Sequence, residues 1–150
     1  LNIHKREDVI GENETAWDNR IRIQKYVYLA DYFNIDLGYT NTYSMYLYGP
    51  YSPILAEKYY ELAENGFFDS NPSSTSTTSY PNLNRFIECM KGKDTAWLEI
   101  ASTALSFAEC HNSIATLIKH VALVKYKHSE EKIKAVINDL KELSLLTVKQ

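Results

Sequence analysis

The chain has 150 residues, of which 45% are hydrophobic and 23% are charged, and its formal net charge is −3. This composition is typical of a soluble globular protein, and the length suits one ordinary domain or two very small ones. No apolar run approaches the ~20 residues that cross a bilayer, which argues against a membrane protein, and the polar first residues predict no secretory leader at this end.

The first predicted element is a helix over residues 17–33. Its apolar side chains recur at helical spacing, which predicts one buried stripe: Tyr26, Leu29, Ala30 and Phe33. Thr15 is the expected N-cap of this helix. Its remaining surface is expected to carry polar side chains, namely Arg20, Arg22, Gln24, Lys25 and Asp31. The polar stretch 34–41 that follows predicts a turn around Gly38.

A strand and a second helix are predicted next. Residues 43–48 alternate between two faces as a strand does, and Gly49-Pro50-Tyr51 is expected to break it. Ser52-Pro53 is a strong helix start, because the hydroxyl caps the first amides and proline has no N–H to leave unpaired. The helix is expected to stop at Asn65-Gly66, and Phe67-Phe68 is expected to form a short strand.

The second half is predicted to be helical. It follows a Ser/Thr-rich segment over residues 71–81, which has almost nothing to bury and is expected to be a mobile loop or linker. A short helix covers residues 83–91. Three further helices are expected to begin at the caps Asp94, Ser113 and Ser129. The last helix is expected to end at Ser144, and residues 145–148 to form a final strand.

Two parts of the sequence resemble each other weakly. Each has a serine cap, a helix, a polar turn and two large apolar residues, at Ser52–Phe68 and at Ser129–Leu146. A winged helix passes in this order from its second helix into the wing. We therefore expect a mainly helical α+β fold with one or two winged-helix-like units and short strands. The units are a helix-strand-helix unit over residues 1–70, a loop or wing over 71–81 and a winged-helix-like unit over 82–150, or one compact domain overall.

The sequence contains no motif for catalysis or cofactor binding. It has no Gly-rich phosphate loop, no His-Glu-x-x-His pattern and no carboxylate pair whose spacing forces the two groups together. Three residues offer possible chemistry: Cys110, His111 and His120 as metal ligands, or Cys110 as a nucleophile with His111 as its base. Surface or boundary positions are the simpler interpretation of these residues. We therefore expect no enzyme activity, no cofactor and no metal. Because Cys89 and Cys110 fit no disulfide framework, we also expect a reduced, cytoplasmic protein.

The charge distribution predicts one basic surface. Residues 1–70 carry 6 basic and 11 acidic side chains, whereas residues 114–150 carry 7 basic and 4 acidic ones. The predicted nucleic-acid contacts cluster around the start of the last helix: Lys125, Lys127, His128, Lys132 and Lys134. A helix N-terminus favours phosphate, and a recognition helix contacts DNA through its N-terminal residues, although Glu130 and Glu131 would repel phosphate here. A solvated face is the alternative interpretation of this cluster.

Two motifs carry a resemblance to known families. They are the helix segment Arg22-Ile-Gln-Lys25 and the corner Tyr46-Leu-Tyr-Gly-Pro-Tyr-Ser-Pro53, with Trp97-Leu-Glu-Ile100 and the Ser129–Leu146 segment downstream. Over residues 20–146 the chain resembles an uncharacterised bacterial and archaeal family of winged-helix-like proteins, which implies that fold and DNA binding or regulation. The helix and corner are also similar to the Panacea domain of toxin–antitoxin systems, which implies neutralisation of a partner. In that domain the corner usually continues with valine where this chain has Tyr-Ser.

These motifs have a structural and a binding interpretation. The residues concerned are Arg22, Gln24, Lys25, Tyr48, Gly49, Pro50, Tyr51 and Ser52. They form either a stiff corner packed on the first helix or a site for a partner or ligand. The leading predicted function is a transcription regulator that binds double-stranded DNA through the basic helix. The alternative is a protein-interaction module, antitoxin-like or an adaptor, whose 12 tyrosines supply the surface for a protein partner or for self-association.

Overall fold

The computed structural model describes residues 1–69 and 80–148, which form a mainly helical α+β fold. The helices of this described part are α1 Glu7–Ile10, α2 Glu14–Ala30, α3 Pro53–Glu64, α4 Leu83–Met90, α5 Thr95–Ala108, α6 Ile114–Val124 and α7 Glu130–Glu142. The strands are β1 Ser44–Tyr46 and β2 Gly49–Tyr51, and short 3-10 helices cover Asp31–Phe33 and Thr40–Thr42. The expectation of a mainly helical α+β fold is confirmed.

Polar side chains at four predicted N-caps begin their helices as expected. Ser52, Asp94, Ser113 and Ser129 each accept a hydrogen bond from the amide three residues further on. The cap predicted for the first long helix is wrong, because Asn13 caps α2 by accepting from the Ala16 amide at 2.8 Å. Asparagine is the better cap of the two, so Thr15 lies inside the first turn.

The two strands form an antiparallel hairpin ahead of α3. Tyr46 pairs with Gly49, so Leu47 and Tyr48 are the two residues of the loop. Gly49 has a φ of +94°, a conformation that glycine adopts at little cost. The predicted break after Tyr48 is therefore wrong, since the residues that follow form β2. The proline in β2 is tolerated because a two-stranded hairpin has only edge strands.

The strands predicted after α3 and α7 are not formed. Phe67 and Phe68 lie in a turn, and Leu145 and Leu146 follow α7 without strand structure. The amides of both leucines bond back to the Leu140 carbonyl, at 2.9 and 3.3 Å, so they complete the helix end. The caps Ser52 and Ser129 confirm the helical part of the weak repeat. The strands predicted after each helix are wrong, because a strand needs a second strand to pair with and neither segment has one in the described part of the chain.

Helix α5 lies at the centre of the fold. It packs against α2, α6, α7 and β2, and it is buried along most of its length. The main core forms around it, and its largest buried side chains include Phe33, Leu98, Leu117 and Ile137. Because α2 contributes Leu29 and Ala30 to this cluster, the two predicted units share one core. A smaller cluster joins α1 to α3 through Val9, Leu55, Ala56, Tyr59 and Ala63.

Most of the predicted Ser/Thr-rich loop lies outside the described residues, which resume at Tyr80. Tyr80 is half-buried and packs against the main core. None of the helices in residues 1–69 and 80–148 combines the length and apolar character that crossing a membrane requires.

Candidate functional site

The Gln-Lys segment of α2 is buried against the corner that joins β2 to α3. Gln24 and Lys25 are 1% and 2% exposed, so the expectation that they lie on the polar surface is wrong. The Gln24 amide makes two hydrogen bonds of 2.9 Å with the Ser52 backbone: Nε2 donates to the carbonyl, and Oε1 accepts from the N–H. Ser52 is fully buried and caps α3 through its hydroxyl. One side chain thus bonds to both backbone groups of Ser52, and the Ser52 carbonyl also accepts from the Ala56 N–H.

Two lysines from distant parts of the chain hold the hairpin by its carbonyl oxygens. Lys25 Nζ donates to the Pro50 carbonyl at 2.7 Å, and Lys125 Nζ donates to the Leu47 carbonyl at 3.0 Å. Lys25 belongs to α2, and Lys125 directly follows α6. The hairpin is therefore bonded to both halves of the chain.

A carboxylate on α5 offsets part of this buried positive charge. Glu99 Oε2 lies 3.6 Å from Lys125 Nζ and 3.5 Å from His128 Nε2. The pKa of Lys25 is lowered to about 7, first by burial and then by the charge of Lys125, while Glu99 opposes the shift. Burial also lowers the pKa of Lys125, against the effect of Glu99. A neutral Lys25 amine can still donate to Pro50, so losing the proton does not remove that hydrogen bond.

An open pocket lies between α2, the hairpin and α3, and the buried Gln24 and Lys25 form part of its lining. We call it the aromatic pocket, because its walls contain Trp17, Tyr46, Tyr48, Tyr51, Tyr59 and Tyr60. Trp17 meets Tyr48 edge to face with ring centroids 5.5 Å apart. The volume is about 420 Å³. This lies within the range of roughly 300–1,000 Å³ found for ligand pockets.

The lining of the aromatic pocket leaves large apolar side chains exposed to water. Trp17 is 47% exposed, Tyr46 is 52% exposed and Leu47 is 74% exposed. These residues extend the apolar surface out of a concave site, an arrangement typical of surfaces that bind a partner.

The structure ties most of the predicted nucleic-acid contacts to partners within the chain. Lys125 and His128 face the half-buried Glu99 carboxylate. Lys132 Nζ lies 3.1 Å from Asp94, and Lys134 Nζ lies 2.6 Å from Glu130. Lys127 is exposed and forms no ion pair within the described part of the chain. The five side chains therefore do not present a common row of free positive groups.

Arg22 lies apart from the rest of the motif. Its guanidinium donates to the Tyr26 hydroxyl at 2.7 Å, to Thr95 Oγ1 at 3.2 Å and to the Lys93 carbonyl at 3.1 Å, so it ties α2 to the start of α5. The other motif residues, Gln24, Lys25, Tyr48, Gly49, Pro50, Tyr51 and Ser52, line the aromatic pocket or hydrogen bond to its walls.

The two histidines considered as metal ligands meet in the structure. His111 Nε2 lies 2.8 Å from His120 Nδ1, and the His120 ring stacks on Phe107 with centroids 4.2 Å apart. Cys110 is exposed. Within residues 1–69 and 80–148, no group of three or more His, Cys, Asp or Glu side chains is arranged to hold a metal ion. The histidine pair therefore links the segment that follows α5 to α6 through a hydrogen bond.

The sequence interpretation missed several residues that build this region: Trp17, Arg20, Tyr59, Tyr60 and Glu99. One signal could have found the helical wall. Trp17, Ile21 and Gln24 recur at i, i+4 and i+7, which is a second stripe beside the apolar one.

No family model, curated protein or solved structure shows significant similarity to the chain. The resemblances to the winged-helix-like family and to the Panacea domain therefore stay predictions.

Proposed function

We propose that the chain is a non-catalytic protein-interaction module whose aromatic pocket receives an apolar side chain of a partner protein. The observation that carries this proposal is the aromatic pocket itself, a concave site of about 420 Å³ beside which Trp17, Tyr46 and Leu47 stand exposed. Tyr and Trp often dominate binding at interfaces, because they bury a large area and have few torsions to fix. We further propose a cytoplasmic location, which the free state of both cysteines supports.

The internal contacts support a site that is formed before a partner binds. The hydrogen bonds of Gln24 to Ser52 fix the corner, and the lysine bonds to Pro50 and Leu47 fix the hairpin. A preformed site binds more tightly, since less conformational entropy is lost on association. The structural and binding interpretations of the motif are therefore compatible: its buried side chains hold the walls, and its tyrosines present the surface.

DNA binding, the leading function predicted from the sequence, receives less support. Lys125 is buried, and Lys132 and Lys134 face acidic side chains. The first turn of α7 is acidic, because it begins with Glu130 and Glu131. We therefore keep DNA binding as the competing outcome of the experiments below.

Selection from a random peptide display library on the immobilised full chain tests the proposal. We expect the enriched peptides to carry an aromatic or large aliphatic anchor. Trp17→Ala and Tyr60→Ala should abolish enrichment without unfolding the chain, since both side chains lie at the surface. Ile87→Ala is the matched control, because Ile87 is exposed on α4 outside the aromatic pocket. Enrichment that survives in both pocket variants would overturn the proposal.

Fluorescence anisotropy with a random-sequence DNA duplex at low salt tests the competing function. We expect no saturable binding. Binding that falls with salt, and that Lys127→Ala and Lys132→Ala weaken across all sequences, would favour the DNA-binding regulator instead.

A further inference from the structure

The charged side chains that line the aromatic pocket are both basic. They are Arg20 and Lys25, and none of the 11 acidic residues within residues 1–70 lines the pocket. Arg20 Nη1 donates to two carbonyl oxygens at the end of α1, at 2.6 and 2.9 Å. The guanidinium carbon of Arg20 lies 5.7 Å from the ring centroid of Trp17. A positive group is thus held beside the exposed indole.

A second, smaller cleft continues this surface across the hairpin loop. Leu47 and Tyr48 line both the aromatic pocket and the cleft, whose far side contains Tyr126 and Lys127. Tyr126 is 74% exposed. Glu99 is the carboxylate that lines the cleft, and it already faces Lys125 and His128. In the described part of the chain, Arg20 therefore lies on one side of the hairpin loop and Lys127 on the other. No carboxylate among the described residues lines the aromatic pocket to offset the charge of Arg20.

We propose that the partner binds through an acidic peptide segment, in which an aromatic anchor fills the aromatic pocket and neighbouring Asp or Glu side chains pair with Arg20 and Lys127. This inference rests on the proposed function and adds the chemistry of the partner. Apolar walls lower the local dielectric, so a charge pair beside them is stronger than one in open water. Arginine has donors besides those on Nη1, and its guanidinium geometry matches a carboxylate. Such complementarity mainly determines partner choice and association rate.

Four labelled peptides test the inference by fluorescence anisotropy with the full chain. The parent peptide has one tryptophan flanked by glutamates. Two others replace the glutamates by glutamines or by lysines, and the fourth replaces the tryptophan by alanine. We expect the parent to bind roughly tenfold more tightly than the glutamine peptide, and the lysine peptide to bind more weakly still. The advantage of the parent should shrink as salt is raised, because the charge pairs lie near the surface.

Substitutions assign the preference to the two basic groups. Lys127→Gln should reduce the advantage of the acidic peptide without harming the fold, because Lys127 is exposed. Arg20→Gln should do the same, and Arg20→Lys, which keeps the charge, should restore part of it. Because Arg20 also bonds to α1, circular dichroism must confirm that its variants are folded. Lys58→Gln is the matched control, since Lys58 is exposed on α3 and does not line the pocket.

The outcomes separate the inference from the proposed function. Equal affinity for the glutamate and glutamine peptides, with binding lost for the alanine peptide, would overturn the acidic partner and leave the interaction module in place. Tight binding of the alanine peptide would show that no aromatic anchor is needed, and it would overturn both the proposed function and the inference of an acidic partner. Failure of all four peptides to bind would overturn the proposed function and the inference with it.

Discussion

Gln24→Met tests whether one side-chain amide holds the corner against α2. Methionine has a similar length and helix propensity, but it can replace neither hydrogen bond to Ser52. The Ser52 backbone N–H, 2.9 Å from Gln24 Oε1, would then remain buried without a partner, whereas the Ser52 carbonyl would lose one of its two hydrogen bonds and keep the one from the Ala56 N–H at 3.0 Å. A buried group left unsatisfied costs about 1–3 kcal/mol and the lost second bond about 0.5–1.5 kcal/mol, so we expect the free energy of unfolding to fall by about 1.5–4.5 kcal/mol.

Urea denaturation followed by circular dichroism measures this loss. The midpoint should fall while the slope stays near the wild-type value, because the same surface is exposed on unfolding. Asn138→Met is the matched control, since Asn138 is an exposed amide on α7, and we expect it to change stability by less than about 0.5 kcal/mol. A loss below about 1 kcal/mol for Gln24→Met would refute the reasoning, because the corner would then hold without the amide.

Two further perturbations test the buried charge and the turn. Unfolded Lys25 keeps its proton up to about pH 10.5, whereas the folded chain releases it near a pKa of about 7, so the unfolded state binds more protons between these values. From pH 7 to about pH 9.5, the unfolding free energy measured by urea titration should therefore rise by roughly 2–3 kcal/mol more in the wild type than in Lys25→Met. An equal dependence of the unfolding free energy on pH in the two proteins would contradict the burial of this amine. Gly49→Ala should lower the melting temperature more than Gly38→Ala, although both glycines have positive φ. A Cβ added at Gly49 would lie 2.7 Å from Thr103 Oγ1, whereas a Cβ added at Gly38 would have no atom within 4 Å. Adding Thr103→Ala to Gly49→Ala should restore part of the lost melting temperature. Equal decreases in Gly49→Ala and Gly38→Ala would show that β2 does not pack on α5 as described.

The long helices could be predicted because their signals are local. The last helix has a serine cap at Ser129 and a buried stripe of Ile133, Val136, Ile137 and Leu140, and all five positions behave as the pattern requires. Helix α1 went unpredicted because its four residues, Glu7–Ile10, are too few to show a period. The strands predicted at Phe67 and Leu145 failed for a different reason, since strand structure depends on a partner that a single segment cannot reveal.

The candidate site depends on contacts between residues far apart in the sequence. Gln24 bonds to a residue 28 positions away, and Lys125 bonds to one 78 positions away. A rule that polar side chains lie at the surface fails where a buried partner satisfies them, and that partner is invisible to a local pattern. The Tyr-Gly-Pro-Tyr-Ser corner did identify one wall of the aromatic pocket, because its glycine and serine carry strong local signals.

The central claim is that the aromatic pocket receives the partner, whereas the α7 lysines Lys132 and Lys134 do not. Proton–nitrogen correlation spectra of the labelled chain contain two indole signals, one from Trp17 beside the pocket and one from the buried Trp97, whose Nε1 donates to Asp139 at 2.8 Å. During titration with the unlabelled acidic tryptophan peptide, the Trp17 signal should move progressively and saturate while the Trp97 signal stays in place. A stationary Trp17 signal together with shifts confined to the amides of residues 129–134 would contradict the account.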